Sequence, residues 1–163
     1  MKRGGTKILL FALALLLFAC VTAIHGQSPP QPPPANPVFT DRDASTLLRQ
    51  LSEALQSHSR KKLFGLFDFK QMADGPLFRQ QIDALLSHSE SIRVHLNLME
   101  TDKTIRADGV PDGAMAVEAE MEVQPSNGGV AWRRNERLVF GVDRVGQSWK
   151  FYLVSPSSFF SLP

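Results

Sequence analysis

The chain has 163 residues, of which 43% are hydrophobic and 21% are charged, and it contains one cysteine. Its formal net charge is +2, but residues 1–26 hold three of the 18 basic residues and none of the 16 acidic ones, which leaves the remainder at −1. This balance, with no cluster of basic and interleaved aromatic residues, argues against nucleic-acid binding. Because the only cysteine is Cys20, the remainder cannot form an intrachain disulfide, and its fold must rest on a hydrophobic core.

The N-terminus has the pattern of an export signal. Lys2, Arg3 and Lys7 precede an apolar run of 17 residues, which is shorter than the roughly 20 residues of a bilayer-spanning helix. Small residues at Ala23 and Gly26 offer cleavage positions. We therefore predict a signal peptide over residues 1–26 and an exported protein, periplasmic or secreted.

Two alternatives to simple cleavage remain open. Residues 17–20, Leu-Phe-Ala-Cys, resemble a bacterial lipobox, which would make the protein a lipoprotein acylated at Cys20. The apolar run could also be retained as an anchor. Residues 27–38 form a proline-rich linker, and an extended polyproline II chain of about 3.1 Å per residue would hold a domain away from such an anchored end.

The folded domain is predicted to span residues 39–163 and to begin with helices. Residues 40–43 carry helix-capping side chains and precede apolar residues at helical spacing, and residues 57–59 interrupt that helix. A short helix or turn is expected over residues 61–68. A further helix is expected from Asp74, as its cap, with Pro76 at the first helical position, through about Ser89.

The second half of the domain has the alternation of strands. Strands are predicted over residues 92–98, 114–123, 130–142 and 148–154, with residues 101–113 as a loop. In the first hairpin we expect Val123 opposite Trp132, and Glu122, Glu120 and Glu118 opposite Arg133, Asn135 and Arg137. In the second hairpin, a turn around positions 145 and 146 would place Val142, Phe140 and Leu138 opposite Trp149, Phe151 and Leu153, and Val139 opposite Tyr152. The outer charges indicate a solvated face.

The predicted fold is α+β, with N-terminal helices packed on a curved four-stranded antiparallel sheet. Arg134 and Glu136 have the parity of the apolar face. A bulge or an overhanging sheet could leave them in solvent, or they could line a polar-mouthed pocket as a neutralised pair. Phe159, Phe160 and Leu162 either close the core, the preferred interpretation, or form an exposed docking patch.

The order of elements, the domain size and the terminal strand Trp149–Leu153 after a long Arg-rich strand resemble the nuclear transport factor 2-like superfamily, including its SnoaL-like branch. The resemblance covers residues 41–160. It implies a cone in which the sheet wraps the helices around a central pocket, with frequent dimerisation through the outer face. It would make this chain an exported bacterial member of a group that includes isomerases, dehydratases and domains without known activity.

Three functions are compatible with these features. The preferred hypothesis is a non-enzymatic domain that binds a small apolar ligand or a protein partner in the cell envelope. The alternatives are an isomerase- or dehydratase-like enzyme using Asp68 or the Arg134/Glu136 pair, and a lipid-anchored structural interaction module. His58, His88 and His95 lack zinc-type spacing, so no metal or cofactor is expected, and membrane contact is expected only through the N-terminus.

Overall fold

The computed structural model describes residues 38–105 and 111–163, without the side chains of 103–105 and 111. The predicted signal peptide, the lipidation at Cys20 and the proline-rich linker lie outside these residues. No helix within them is long and apolar enough to cross a membrane.

Three helices precede the sheet, as predicted: α1 (Asp41–Gln56), α2 (Arg60–Gly65) and α3 (Gly75–His88). Helix α1 begins with a capping box, in which the Asp43 amide donates to the Thr40 hydroxyl oxygen at 3.2 Å and the Asp43 carboxylate accepts from the Thr40 amide at 3.0 Å. Its apolar face is buried. Asp74 stands at the N-cap of α3 but its side chain makes no capping bond, and Pro76 is the second helical residue rather than the first.

Four strands form an antiparallel sheet in sequence order: β1 (Ser89–Ile105), β2 (Pro111–Pro125), β3 (Trp132–Val145) and β4 (Ser148–Ser155). A short 3-10 helix at Ser157–Phe160 follows. The predicted α+β class, with N-terminal helices on a curved four-stranded antiparallel sheet, is confirmed. The predicted loop over residues 101–113 is wrong at both ends, because the backbone ladder continues through polar residues and pairs Thr101 with Met115.

The first hairpin has the predicted register. Val123 lies opposite Trp132, Glu122 opposite Arg133 and Glu118 opposite Arg137. The glutamates and their partners therefore share the outer face, while the alternate residues of β2, from Met115 to Val123, are buried.

The second hairpin differs from its prediction. Its turn is Gly146–Gln147, with Gly146 at φ 63°, so that Trp149 pairs with Arg144 and Phe151 with Val142. The register is displaced by two residues, which leaves these side chains on the expected faces. The ladder then shifts beside Tyr152, which is the extra residue of a β-bulge. Leu153, expected in the core, is consequently 45% exposed, and Val154 is buried instead.

One hydrophobic core lies between the sheet and the helices. Its aromatic contacts include Phe140 with Phe151, whose ring centroids are 4.9 Å apart, and Phe39 with Trp149, at 5.0 Å. Phe159 and Phe160 are fully buried, which confirms that the C-terminus closes the core.

Candidate functional site

The interior of the domain, where a ligand pocket was expected, is occupied by aromatic side chains. The Phe67 ring lies 5.3 Å from that of Phe78 and 5.2 Å from that of Phe151, and Phe78 in turn contacts Phe160 at 5.6 Å. All four side chains are at most 3% exposed. These contacts stabilise the fold and use the space that a bound molecule would need.

Arg134 points toward the apolar side, as its parity predicts, and no bulge interrupts the β2–β3 ladder near it. Its guanidinium donates to the carbonyl oxygens of Phe159 and Ser161, both at 3.1 Å, and to that of Ser158. It also lies 5.2 Å from the Trp132 ring centroid. The charge thus caps the final carbonyls of the C-terminal segment, a role that neither interpretation of the sequence included.

Glu136 is not paired with Arg134. It is partly exposed and, within the described part of the chain, makes no ion pair or side-chain hydrogen bond. The neutralised pair considered from the sequence is therefore not formed.

Asp68 lies in the turn that follows α2. Its amide donates to the Phe151 carbonyl oxygen at 2.8 Å, and its carboxylate accepts from the Lys70 amide at 3.1 Å and the Gln71 side chain at 3.5 Å. These bonds hold the turn against the free edge of β4. Because Phe151 pairs with Val142, six residues from Glu136, the two acids are about 20 Å apart along the sheet.

A polar cluster that sequence reasoning missed lies at the other end of the outer face. Asp143 is 1% exposed, and its carboxylate accepts from the Gln71 side chain at 2.6 Å. Close by, the Tyr152 hydroxyl donates to the Asp112 carboxylate at 3.2 Å. The tyrosine crosses the sheet directly above Gly141, where a Cβ atom would lie 2.9 Å from its ring. The only signal in the sequence was the position of the Gly146 turn, which extends β3 past Asp143.

The three histidines that the structure describes form no metal-binding group. His58, held at φ 51°, contacts the Ser89 hydroxyl through Nε2 at 3.0 Å, while that hydroxyl donates to the Leu85 carbonyl at 2.7 Å. The hydroxyl proton of Ser89 is therefore directed away from His58. Activation of Ser89 as a nucleophile would require that proton to point toward the imidazole. His88 and His95 are exposed. Within the described residues, no group of three or more His, Cys, Asp or Glu is close enough to hold a metal.

The outer face of the sheet carries its charges in cross-strand rows. Arg133 donates to Glu122 at 2.7 Å, and Arg93 lies 3.5 Å from the same carboxylate. The hydrogen bond from Arg133 lowers the pKa of Glu122 and, reciprocally, raises that of Arg133. An open trough of about 470 Å³ lies beside this row and is lined by His95, Asn97, Glu118, Glu120, Asn135 and Arg137.

No protein-family model and no curated protein matches this sequence. Solved structures do. A conserved protein from Planctomyces limnophilus is 14% identical, with 69% of this chain and 91% of that chain covered and a TM-score of 0.58. A nuclear transport factor 2-like superfamily protein from Salmonella enterica is 6% identical, with 69% of this chain and 86% of that chain covered and a TM-score of 0.57. A scytalone dehydratase-like protein from Novosphingobium aromaticivorans is 10% identical, with 69% of this chain and 79% of that chain covered and a TM-score of 0.56. This chain has the nuclear transport factor 2-like fold.

In this nuclear transport factor 2-like domain, the outer face of the sheet also bears an apolar region. Two neighbouring cross-strand rows form it. One has Ala116 and Val139 between Glu100 and Ser155, with Met99 next to Glu100 at a bulge of β1. The other has Ala114, Gly141 and Leu153, with Asp102 at its β1 end. Met99, Val139 and Leu153 are 51%, 41% and 45% exposed. We call this surface the outer apolar band, and define it by Met99, Ala114, Ala116, Val139 and Leu153.

Proposed function

We propose that this chain is an exported, non-catalytic interaction domain that pairs with a second copy of itself through the outer face of its sheet. The observation that carries the proposal is the outer apolar band. Its three large side chains are each about half exposed, and the small side chains of Ala114 and Ala116 lie in the same two rows. A contiguous apolar surface bordered by polar residues is typical of a protein-binding site.

The charges beside the band favour a second copy as the occupant. Glu118 and Arg137 are opposite one another across β2 and β3, yet among the described residues neither forms an ion pair, whereas Glu122 and Arg133 in a nearby row do. A two-fold interface places the same patch of both copies in contact. Glu118 of one copy can then meet Arg137 of the other, so that one face supplies both charges.

A small apolar ligand is a weaker candidate. Aromatic side chains occupy the interior, and the cleft between α3 and β4, lined by residues that include Leu77 and Leu153, has a volume of only about 160 Å³. The trough of about 470 Å³ on the outer face is large enough, but charged and amide side chains line most of it. Sites for small organic ligands usually have about 300–1,000 Å³. The enzymatic alternative is disfavoured because Asp68 is engaged in its turn and lies far from Glu136.

The test is the molar mass of the protein in solution, measured by light scattering on the chain as it is exported. The wild type should have a molar mass twice that calculated for one copy of the chain. Val139→Glu should convert it to a monomer, because the substitution places a charge in the outer apolar band. Val130→Glu is the matched control, since Val130 is 90% exposed in a loop outside that band, and this variant should stay dimeric. A monomeric wild type, or equal effects of both substitutions, would refute the proposal.

A further inference from the structure

A short cleft lies between the first half of α3 and the end of β4. It is lined from one side by Asp74, Leu77, Phe78 and Gln81, and from the other by residues 152–154. The first four are three or four positions apart, so they share one face at the start of α3. The volume of about 160 Å³ is too small for a drug-sized molecule, but it can take one apolar side chain. We call this space the α3–β4 cleft.

The end of β4 is an uncovered sheet edge at this cleft. Up to Phe151 the edge is covered by the turn after α2, because the Phe151 amide donates to the Leu66 carbonyl oxygen at 2.9 Å and the Phe151 carbonyl accepts from the Asp68 amide at 2.8 Å. After Asp68 the chain turns toward α3. The last residues of β4 therefore have a neighbouring strand on one side only, where the ladder with β3 continues to Ser155.

The main chain of Val154 is directed toward this uncovered edge. Residues of an antiparallel ladder alternate between bonding one neighbouring strand and the other. Since Phe151 bonds the turn after α2, Val142 opposite it bonds β2, and so does Phe140 two positions away. Val154 lies opposite Phe140, so its N–H and C=O groups point away from β3, and no turn or helix of the described chain bonds them.

Gln81 supplies another unused group in the same cleft. Its side-chain oxygen is buried and has no hydrogen-bond donor within the part of the chain that the structure describes. A buried acceptor without a donor destabilises the folded protein, and the amide of an entering peptide would provide the missing hydrogen bond. The α3–β4 cleft thus combines an uncovered strand edge, an orphan acceptor and apolar walls, which are the features that bind an extended peptide.

The charge at the cleft is negative. Among the described residues, Asp74 makes neither a capping bond nor an ion pair, and no lysine or arginine lines the cleft. The carboxylate is exposed at the rim, beside Leu77, which is 55% exposed. A segment that fits this surface combines an apolar side chain with a lysine or arginine close to it.

We propose that the α3–β4 cleft binds an extended segment of a partner protein, which adds to the edge of β4 and inserts one apolar side chain beside Leu77. A cation of the segment pairs with Asp74, and its main chain bonds Val154 and Gln81. This site does not rest on pairing through the outer apolar band. Although Leu153 lines both surfaces, the contacts that carry the proposal come from α3 and from the main chain of β4.

Fluorescence anisotropy with the full chain and short blocked peptides tests the proposal. The probes are oligothreonine peptides with one anchor, valine, leucine or phenylalanine, and one lysine within two positions of it. At least one of them should bind about tenfold more tightly than the same peptide with serine as the anchor. Glutamate in place of lysine should weaken it severalfold. N-methylation beside the anchor should abolish binding, because strand addition needs main-chain donors. A set of probes without these preferences would overturn the proposal.

Substitutions on α3 locate the site. Gln81→Leu should weaken peptide binding roughly 2- to 10-fold, because it removes the acceptor. It should also raise the urea midpoint of the free protein, which separates a loss of binding from a loss of folding. Asp74→Asn should remove the preference for lysine over glutamate. The matched controls are Gln80→Leu, at an exposed position outside the cleft, and Glu90→Gln on β1. Equal losses in these controls would show that the peptide binds elsewhere.

Two further measurements separate the partner segment from other occupants. Val139→Glu, which should disrupt pairing through the outer apolar band, should leave the peptide affinity unchanged, and a parallel loss would assign the cleft to the interface between copies. n-Butylammonium has an apolar and a cationic group without a peptide main chain, so it should not displace the peptide. Displacement would overturn the proposal in favour of a site for small amines. A monomeric wild type that shows the peptide preferences would refute the pairing alone.

Discussion

The Arg134 guanidinium donates a hydrogen bond to the carbonyl oxygen of Phe159 at 3.1 Å, joining the start of β3 to the C-terminal 3-10 helix. Residues that are 25 positions apart in the chain are linked in this way. The charge on the apolar side of the sheet is therefore compensated by main-chain carbonyls, and it holds in place the segment that carries Phe159 and Phe160.

Replacing Arg134 should loosen this connection. We expect Arg134→Met to lower the free energy of unfolding by about 1–3 kcal/mol, because hydrogen bonds from a charged donor are lost and partly buried carbonyls are left without it. Urea denaturation measures the change. Arg137→Met, on the outer face, is the control and should change stability by less than about 0.5 kcal/mol. Equal losses would show that Arg134 does not hold the C-terminus.

The N-terminal boundary of the folded domain can be tested at Phe39. This side chain is fully buried and packs edge-on against Trp149. Phe39→Ala should lower the free energy of unfolding by about 3–5 kcal/mol. Its neighbour Val38 is 53% exposed, and Val38→Ala should have little effect in the same thermal or urea titration. Similar stabilities of the two variants would place the boundary further along the chain.

The hydrogen bonds of Ser89 connect the end of α3 to the residues after α1. Ser89→Ala removes the group that His58 contacts and leaves the Leu85 carbonyl without its side-chain donor. Since Ser89 is only 7% exposed, we expect a loss of about 1–3 kcal/mol in the free energy of unfolding. Ser91→Ala, at an exposed position of β1, should be nearly neutral; a loss as large as that of Ser89→Ala would contradict the assignment.

The pairing of Glu122 with Arg133 predicts a pH dependence. Because the pKa of Glu122 is lowered from its ordinary value of 4.5 in the folded state, the pairing stabilises the fold above that value, and the stabilisation is lost as the pH falls through the lowered pKa. Arg133→Gln should return the pKa toward its ordinary value in an NMR titration of the carboxyl carbon. Arg137→Gln, which removes no partner of Glu122, should leave it low.

The stability of Arg133→Gln provides an independent test of the ion pair between Glu122 and Arg133. The difference in unfolding free energy between the wild type and Arg133→Gln should shrink as the pH is lowered below about 4. A difference that stays constant across this range would show that the ion pair contributes nothing to stability.

The parts of the fold that could be predicted are those in which a periodic pattern meets a burial requirement. The register of β2 and β3 follows from the alternation of Met115 to Val123, since any slip by one residue would expose the core side chains. The prediction of a loop over residues 101–113 was wrong because Thr101 to Ile105 show no alternation of apolar and polar side chains. These residues are paired only because the backbone ladder of β1 and β2 continues through them.

The candidate site was less accessible to prediction. The side-chain direction of Arg134 follows from its parity. Its partners could not be predicted, because they are backbone carbonyls, which every residue type has. Asp143 is buried because β3 continues to Val145 and the turn after α2 brings Gln71 to it. Contacts of this kind depend on the tertiary arrangement. From the local sequence only the presence of a turn can be predicted.

The β-bulge in β4 has a consequence for how this chain can change. Because Tyr152 is an additional residue, Leu153 faces outward and Val154 faces the core, although side chains of a regular strand alternate from one residue to the next. Loss of the codon for Tyr152 would remove the bulge and still leave Leu153 opposite Gly141 and Val154 opposite Phe140. This strand can therefore lose one residue at the bulge without exchanging the side chains of its two faces.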